Sequence, residues 1–161
     1  MSKDIFDCIK ENSVIELKSF LKNCTDINVK NKYGNTPLHL ASTYDRLEIV
    51  KLLLEYGLDI DIKDNYGYTA LLLASVNGHS KVVELLLEHG ADVNIKNDRE
   101  CNALHYASYF GRTEIVKLLL EHGADVNIKN KDNRTALFYA LFDGYIEMAK
   151  SLVDSGAKFD G

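Results

Sequence analysis

"NTPLHLASTYDRLEIVKLLLEYG", Asn35 to Gly57, decides the fold because it carries a start, a reversal and a stop. Thr36 before Pro37 begins a helix: the hydroxyl can cap an orphan N–H, and proline at the first helical position has none to lose. This helix is expected to run to about Tyr44. A second, Leu47 to Tyr56, carries Ile49, Val50, Leu52, Leu53 and Leu54 on a stripe broad enough to be covered on more than one side. Gly57 then ends it as a C-terminal cap.

A step of 33 residues finds the stretch again as "YTALLLASVNGHSKVVELLLEHG" (68–90). Further steps give "NALHYASYFGRTEIVKLLLEHG" (102–123) and "RTALFYALFDGYIEMAKSLVDSG" (134–156). Leu38, Leu71, Leu104 and Leu137 keep register without a gap, as do Ala41, Ala74, Ala107 and Ala140. One step backward reaches Ile5, Cys8 and Leu17, a degenerate first copy. A single helix pair cannot bury its own apolar face, so a period of this length signals a stacked solenoid. The expected division is a capping repeat at 1–29, full repeats at 30–62, 63–95 and 96–128, and a second capping repeat at 129–161. Ser19 and Ser151, where inner copies carry Leu52, Leu85 and Leu118, suggest polar outer surfaces at both ends.

The pattern resembles the ankyrin repeat, on the evidence of "TPLHLA" at 36–41, "TALLLA", "NALHYA" and "TALFYA" at the later copies, and "GADVN" at 90–94 and 123–127. The resemblance covers essentially the whole chain. It implies an all-α solenoid of helix-turn-helix units joined by hairpin-like loops, acting as a non-catalytic binding module for a protein partner.

Composition agrees with a small globular chain. At 161 residues, 46% hydrophobic and 27% charged, it has no apolar run approaching the roughly 20 residues of a membrane span. Its start lacks a secretory-type pattern, so a cytoplasmic, monomeric protein is expected. Cys8, Cys24 and Cys101 are odd in number and lack paired spacing, which favours reduced thiols over a disulfide framework or a zinc knuckle. A net charge of −5 disfavours nucleic acid as a generic partner.

The candidate chemistry dissolves into repeat positions. His39 and His105 occupy the "TPLH" slot, where the resemblance implies a bond to the neighbouring hairpin backbone. His89 and His122 precede helix-terminating glycines and suit the negative end of the dipole. Asp92, Asn94, Asp125 and Asn127 recur at 33 and read as loop structure; the asparagine positions are hydroxylated in eukaryotic relatives, a modification and not an activity. No metal-ligand spacing, phosphate loop or nucleophile motif emerges, so no catalytic residue, cofactor or metal is assigned. An enzyme site assembled across repeats is the remote alternative.

The resemblance implies that specificity lies on a concave surface of hairpin tips and exposed inner-helix positions. The candidates are Tyr33, Tyr44, Tyr66, Tyr68, Val76, Asn77, Arg99, Tyr109, Phe110, Arg134 and Phe142, because aromatics and arginine most often dominate binding energy. Over four copies they would form a track of roughly 30 Å. The tip segments 30–35, 63–68, 96–101 and 129–134 hold eight Lys or Arg against four Asp or Glu, leaving −9 for the rest. An acidic patch on the partner would suit them; ligand or nucleic-acid binding at these basic tips is the alternative. Glu100 and Asn133 replace the tip glycine. Glutamate resists positive φ, so the turn at Glu100 is expected to differ in shape and to leave Cys101 the most exposed thiol.

Overall fold

The computed structural model describes residues 4–23 and 26–159, which leaves Cys24 outside the described residues. Among the described residues ten helices follow in five pairs. The first unit is α1 (Ile5–Lys10) and α2 (Val14–Asn23), the second α3 (Pro37–Thr43) and α4 (Leu47–Glu55), the third α5 (Ala70–Asn77) and α6 (Ser80–Glu88). The fourth is α7 (Ala103–Tyr109) and α8 (Thr113–Glu121), the fifth α9 (Ala136–Phe142) and α10 (Ile146–Asp154). Each inner helix packs against the next in the series α1, α3, α5, α7, α9, and the outer helices form a second layer in the same order. Among the described residues there is no strand, so the architecture is an all-α solenoid.

The side-chain ladders explain the stacking. Ala41, Ala74, Ala107 and Ala140 are fully buried, and their small size lets successive inner helices approach closely. Leu53, Leu86, Leu119 and Leu152 are fully buried on the outer layer, and Leu38, Leu71, Leu104 and Leu137 close the inner one. Cutting any of these leucines to alanine would cost about 2–5 kcal/mol. Inner helices start on side-chain caps: Thr69 accepts from the Leu72 N–H (3.3 Å) and Thr135 from the Phe138 N–H (3.3 Å).

Each tip is a turn held by one residue. The Asn31 N–H donates to the Asn35 carbonyl (3.0 Å), and Asp64, Asn97 and Asn130 repeat the bond to Tyr68, Cys101 and Arg134. The same residue's Oδ1 accepts two further N–H groups, from Arg99 (3.0 Å) and Cys101 (3.1 Å) in the case of Asn97. This clamp corrects the expected change in turn shape. Glu100 sits at φ 59° and Asn133 at φ 59°, beside Gly34 at 78° and Gly67 at 80°, so the turn keeps its shape. Three hydrogen bonds outweigh the roughly 1–2 kcal/mol that a left-handed residue with a Cβ costs. Cys101 is buried at 7% exposure, against 3% for Cys8, so of the two described thiols it is the more exposed, by a small margin.

The two ends differ. At the first unit Glu16 stands where Ile49, Val82, Ile115 and Met148 are buried, and Ser19 is exposed. At the fifth unit Ser151 is half-buried, and the outer surface is instead apolar: Phe138, Leu141, Phe142, Ile146, Val153 and Phe159 are exposed.

Candidate functional site

The tip asparagines also build the site. Asn97 Nδ2 donates to the Tyr106 hydroxyl at 2.8 Å, and that hydroxyl lies 2.7 Å from the Tyr68 hydroxyl. Asn130 Nδ2 donates likewise to the Tyr139 hydroxyl at 2.9 Å. A tip residue thus fixes both its own turn and an aromatic ring on the following inner helix. Sequence reasoning missed Tyr106 and Tyr139, although a signal exists: asparagine followed by tyrosine nine residues on occurs at 97/106 and 130/139, whereas Asn31 and Asp64 are followed by Leu40 and Leu73. The aromatic support is confined to the last two tips.

Those rings line a cleft of about 920 Å³ together with the tip residues Asp98, Arg99, Lys131 and Asp132. Tyr66, Tyr68, Arg99, Tyr109, Phe110 and Arg134 line it together. Tyr109 meets Phe110 edge-to-face at 4.9 Å and Tyr139 at 5.4 Å, so its position is set by two rings. Tyr66 and Tyr109 remain more than half exposed. Tyr68 is half-buried and committed through its hydroxyl to Tyr106, which makes it wall more than contact.

The other candidates lie elsewhere. Tyr33 and Tyr44 are exposed outside the cleft, the first beneath the Lys32 ammonium at 4.9 Å. Val76 is half-buried outside it, and Asn77 spends an amide hydrogen on the Leu73 carbonyl at 2.8 Å. Phe142 belongs to the apolar end of the molecule, stacked on Phe138 at 5.9 Å.

Three titratable groups of the cleft, Cys101, Tyr106 and His105, are shifted toward their neutral forms. Burial pushes the Cys101 thiol above its ordinary value, although Asn130 opposes this with a hydrogen bond to sulfur at 3.5 Å. Burial raises the Tyr106 phenol, and the Tyr68 hydroxyl raises it further. Burial lowers His105, whose Nε2–H donates to the Arg134 carbonyl at 3.1 Å. His39 does the same toward Tyr68 at 2.9 Å, as the sequence led us to expect of this slot. A neutral thiol, phenol and imidazole offer neither an activated nucleophile nor a charged acid. Among the described residues no three His, Cys, Asp or Glu stand together as metal ligands would.

Charge at the tips is partly spoken for. Lys30 Nζ donates to the Lys63 carbonyl (3.0 Å) and Lys63 Nζ to the Lys96 carbonyl (2.8 Å), while Lys96 pairs with Glu100 at 3.7 Å. Arg99 and Lys131 are exposed at the cleft, and Arg134 lies there with its guanidinium over the Phe138 ring at 4.8 Å.

Among the described residues no helix is long and apolar enough to cross a membrane. Residues 5–97 and 93–160 match the family model described as ankyrin repeats (3 copies). A Rickettsia bellii (strain RML369-C) protein named as an ankyrin repeat protein is 42% identical over 55 residues, 30% of this chain and 33% of that protein. A fowlpox virus (strain NVSL) protein named in the same way is 46% identical over 43 residues, 26% of this chain and 8% of the viral one. The similarity thus spans a third or less of either relative's length. With a 33-residue register, five stacked helix pairs and a family model matched over nearly the whole chain, this protein belongs to the ankyrin repeat family.

Proposed function

We propose that the chain is a non-catalytic protein-interaction module whose contact surface is the aromatic cleft over the third to fifth units. The observation that carries this reading is the convergence of Tyr66, Arg99, Tyr109, Phe110 and Arg134 on one concavity. Rings held by neighbouring rings lose little freedom on binding, which is the property that makes aromatic anchors strong. A cleft of this volume accepts an extended segment or a protruding loop of the partner. Arg99, Lys131 and Arg134 at its edge favour acidic side chains there, and this preference weakens with salt. Effects on the partner then follow from occupancy alone, as inhibition or as scaffolding. Cys101, a buried thiol outside any disulfide, suits a reducing, cytoplasmic setting.

Binding of nucleic acid or a small ligand at the tips has less support, because Lys30, Lys63 and Lys96 already hold partners within the protein. The test is affinity capture followed by titration of each captured partner against the parent and a Tyr66→Ala, Tyr109→Ala, Phe110→Ala variant. A loss of at least about 100-fold in affinity is expected for a cleft partner, since hot-spot truncations cost 2 kcal/mol or more each. Equal affinity for parent and folded variant rejects the cleft. Arg99→Glu with Arg134→Glu should weaken an acidic partner and flatten its salt dependence; an unchanged salt slope rejects the charge preference.

A further inference from the structure

The tip cations divide into two sets. Lys30 and Lys63 each donate to the carbonyl of the next tip, and Lys96 pairs with Glu100. Among the described residues Arg99 and Lys131 enter no ion pair and no side-chain hydrogen bond. The Lys131 N–H donates to the Arg99 carbonyl at 3.1 Å, so the two turns abut, and both side chains line the cleft. Arg134 lines it too, and Asp98 and Asp132 are its carboxylates. Three cations against two anions leave one positive charge unmatched, beside the rings of Tyr66, Tyr109 and Phe110.

We propose, resting on the reading of the cleft as the contact surface, that its occupant is an extended segment of a partner protein with one aromatic side chain and one carboxylate two residues apart. The aromatic side chain lies against Tyr66, Tyr109 and Phe110, and the carboxylate meets Arg99, whose planar fork matches its two oxygens.

The spacing follows from the repeat. Tyr66 and Arg99 hold the same position in successive tips, 33 residues apart, and the Asp98 N–H joins those tips by donating to the Tyr66 carbonyl at 3.1 Å. Stacked units repeat at about 8–10 Å, so the two side chains leave the backbone about that far apart. In an extended segment, residues two apart share a face at about 7 Å, and the reach of the arginine closes the remainder; the residue between them points away. The charge follows from the rim. One carboxylate matches the single surplus cation, whereas a dianionic phosphate would exceed it and face Asp98 and Asp132.

Capped heptapeptides without terminal charges are the probes: Gly-Ser-Phe-Ser-Glu-Ser-Gly, its reverse order, the adjacent pair Gly-Ser-Phe-Glu-Ser-Ser-Gly, and the first sequence with Gln or phosphoserine in place of Glu. Backbone amide resonances of the full chain, followed to about 5 mM peptide, read the weak affinities of so short a segment. The better of the two spaced orders should bind about 10-fold tighter than the adjacent pair and the Gln peptide, and the phosphoserine peptide no tighter than the Glu one. Arg99→Gln should weaken the Glu peptide about 10-fold and leave the Gln peptide unchanged, a coupling that a role in the turn alone would not produce. Equal binding of spaced and adjacent pairs, no binding by any peptide, no coupling to Arg99, or tighter binding of phosphoserine overturns the proposal. The Tyr66→Ala, Tyr109→Ala, Phe110→Ala variant separates the two readings. If captured partners are lost by this folded variant while the peptides show no preference, the cleft stands and the pairing falls; if the peptides bind the variant as they bind the parent, the cleft falls with it.

Discussion

At the scale of one residue, Asn102 shows how finely the repeat is tuned. In the second unit the Thr36 hydroxyl lies 2.8 Å from His39 Nδ1, while His39 Nε2–H donates to the Tyr68 carbonyl. The ring therefore carries its proton on Nε2, and the hydroxyl can donate to Nδ1. At Asn102 an amide oxygen, which only accepts, lies 2.7 Å from His105 Nδ1, and Asn102 Nδ2 is buried without a partner. Turning the amide over moves the fault, because the His105 N–H that bonds Oδ1 at 3.1 Å would then face an NH₂ group. Asn102→Thr should raise stability by about 1 kcal/mol, near 2–4 °C in midpoint for a chain of this size. A midpoint unchanged or lowered in a thermal melt sinks this account. The start of α3 at Thr36 and Pro37 was legible in the sequence, because both residues act on their own turn. The conformation of Glu100 was not: local preference argued against positive φ, and the deciding hydrogen bonds come from Asn97 across the turn.

Between elements, the loops after the outer helices form their own ladder. Asn94 Oδ1 accepts from the Asp125 N–H at 2.8 Å and its Nδ2 reaches the Gly123 carbonyl at 3.5 Å; Asn127 does the same with Lys158 (3.0 Å) and Gly156 (3.2 Å). One rung earlier the residue is Asp61, which accepts from the Asp92 N–H at 3.1 Å but has no hydrogen for the Gly90 carbonyl. Burial raises its pKa, and the nearby Asp92 and Asp59 carboxylates raise it further. The native state then binds the proton more tightly than the unfolded chain. Stability falls as pH rises from the ordinary carboxylate value through the raised one, and the loss persists at neutral pH. Asp61→Asn should add about 0.5–1 kcal/mol at pH 7, modest because the site is only half-buried, and less near pH 4, where the acid form already exists. Urea melts at the two pH values check it: no gain at neutral pH removes the missing rung, and an equal gain at both removes the charge. The ladder was readable as a 33-residue recurrence. The engagement of Lys30 and Lys63 was not, because a lysine of the same spacing looks identical whether its ammonium is solvated or bonded to the next tip.

For the whole molecule, stability is a sum of units and the interfaces between neighbours. That is why the fold could be read from one repeat, whereas the apolar far end could not: Phe138 and Leu141 occupy helix positions that would be core in any internal copy. The same additivity predicts an acid response. His39 ties the second unit to the tip of the third, and His105 ties the fourth to the tip of the fifth; Leu72 occupies the slot between them and makes no such bond. Burial lowers the pKa of both histidines, so below the ordinary value near 6.5 the unfolded chain takes up protons that the native state refuses. Their contribution is fully present above pH 6.5 and is lost as pH falls toward the depressed native values. The unfolding midpoint should therefore drop between pH 7.5 and pH 5.5. Replacing both by leucine, the residue already tolerated in this slot, should flatten that drop, with each single variant removing about half because the two interfaces do not touch. Calorimetry on the four proteins decides it. A slope that survives the double replacement would assign the acid sensitivity to other groups, and a single variant that abolishes it would show the interfaces coupled and the sum of independent neighbours inadequate.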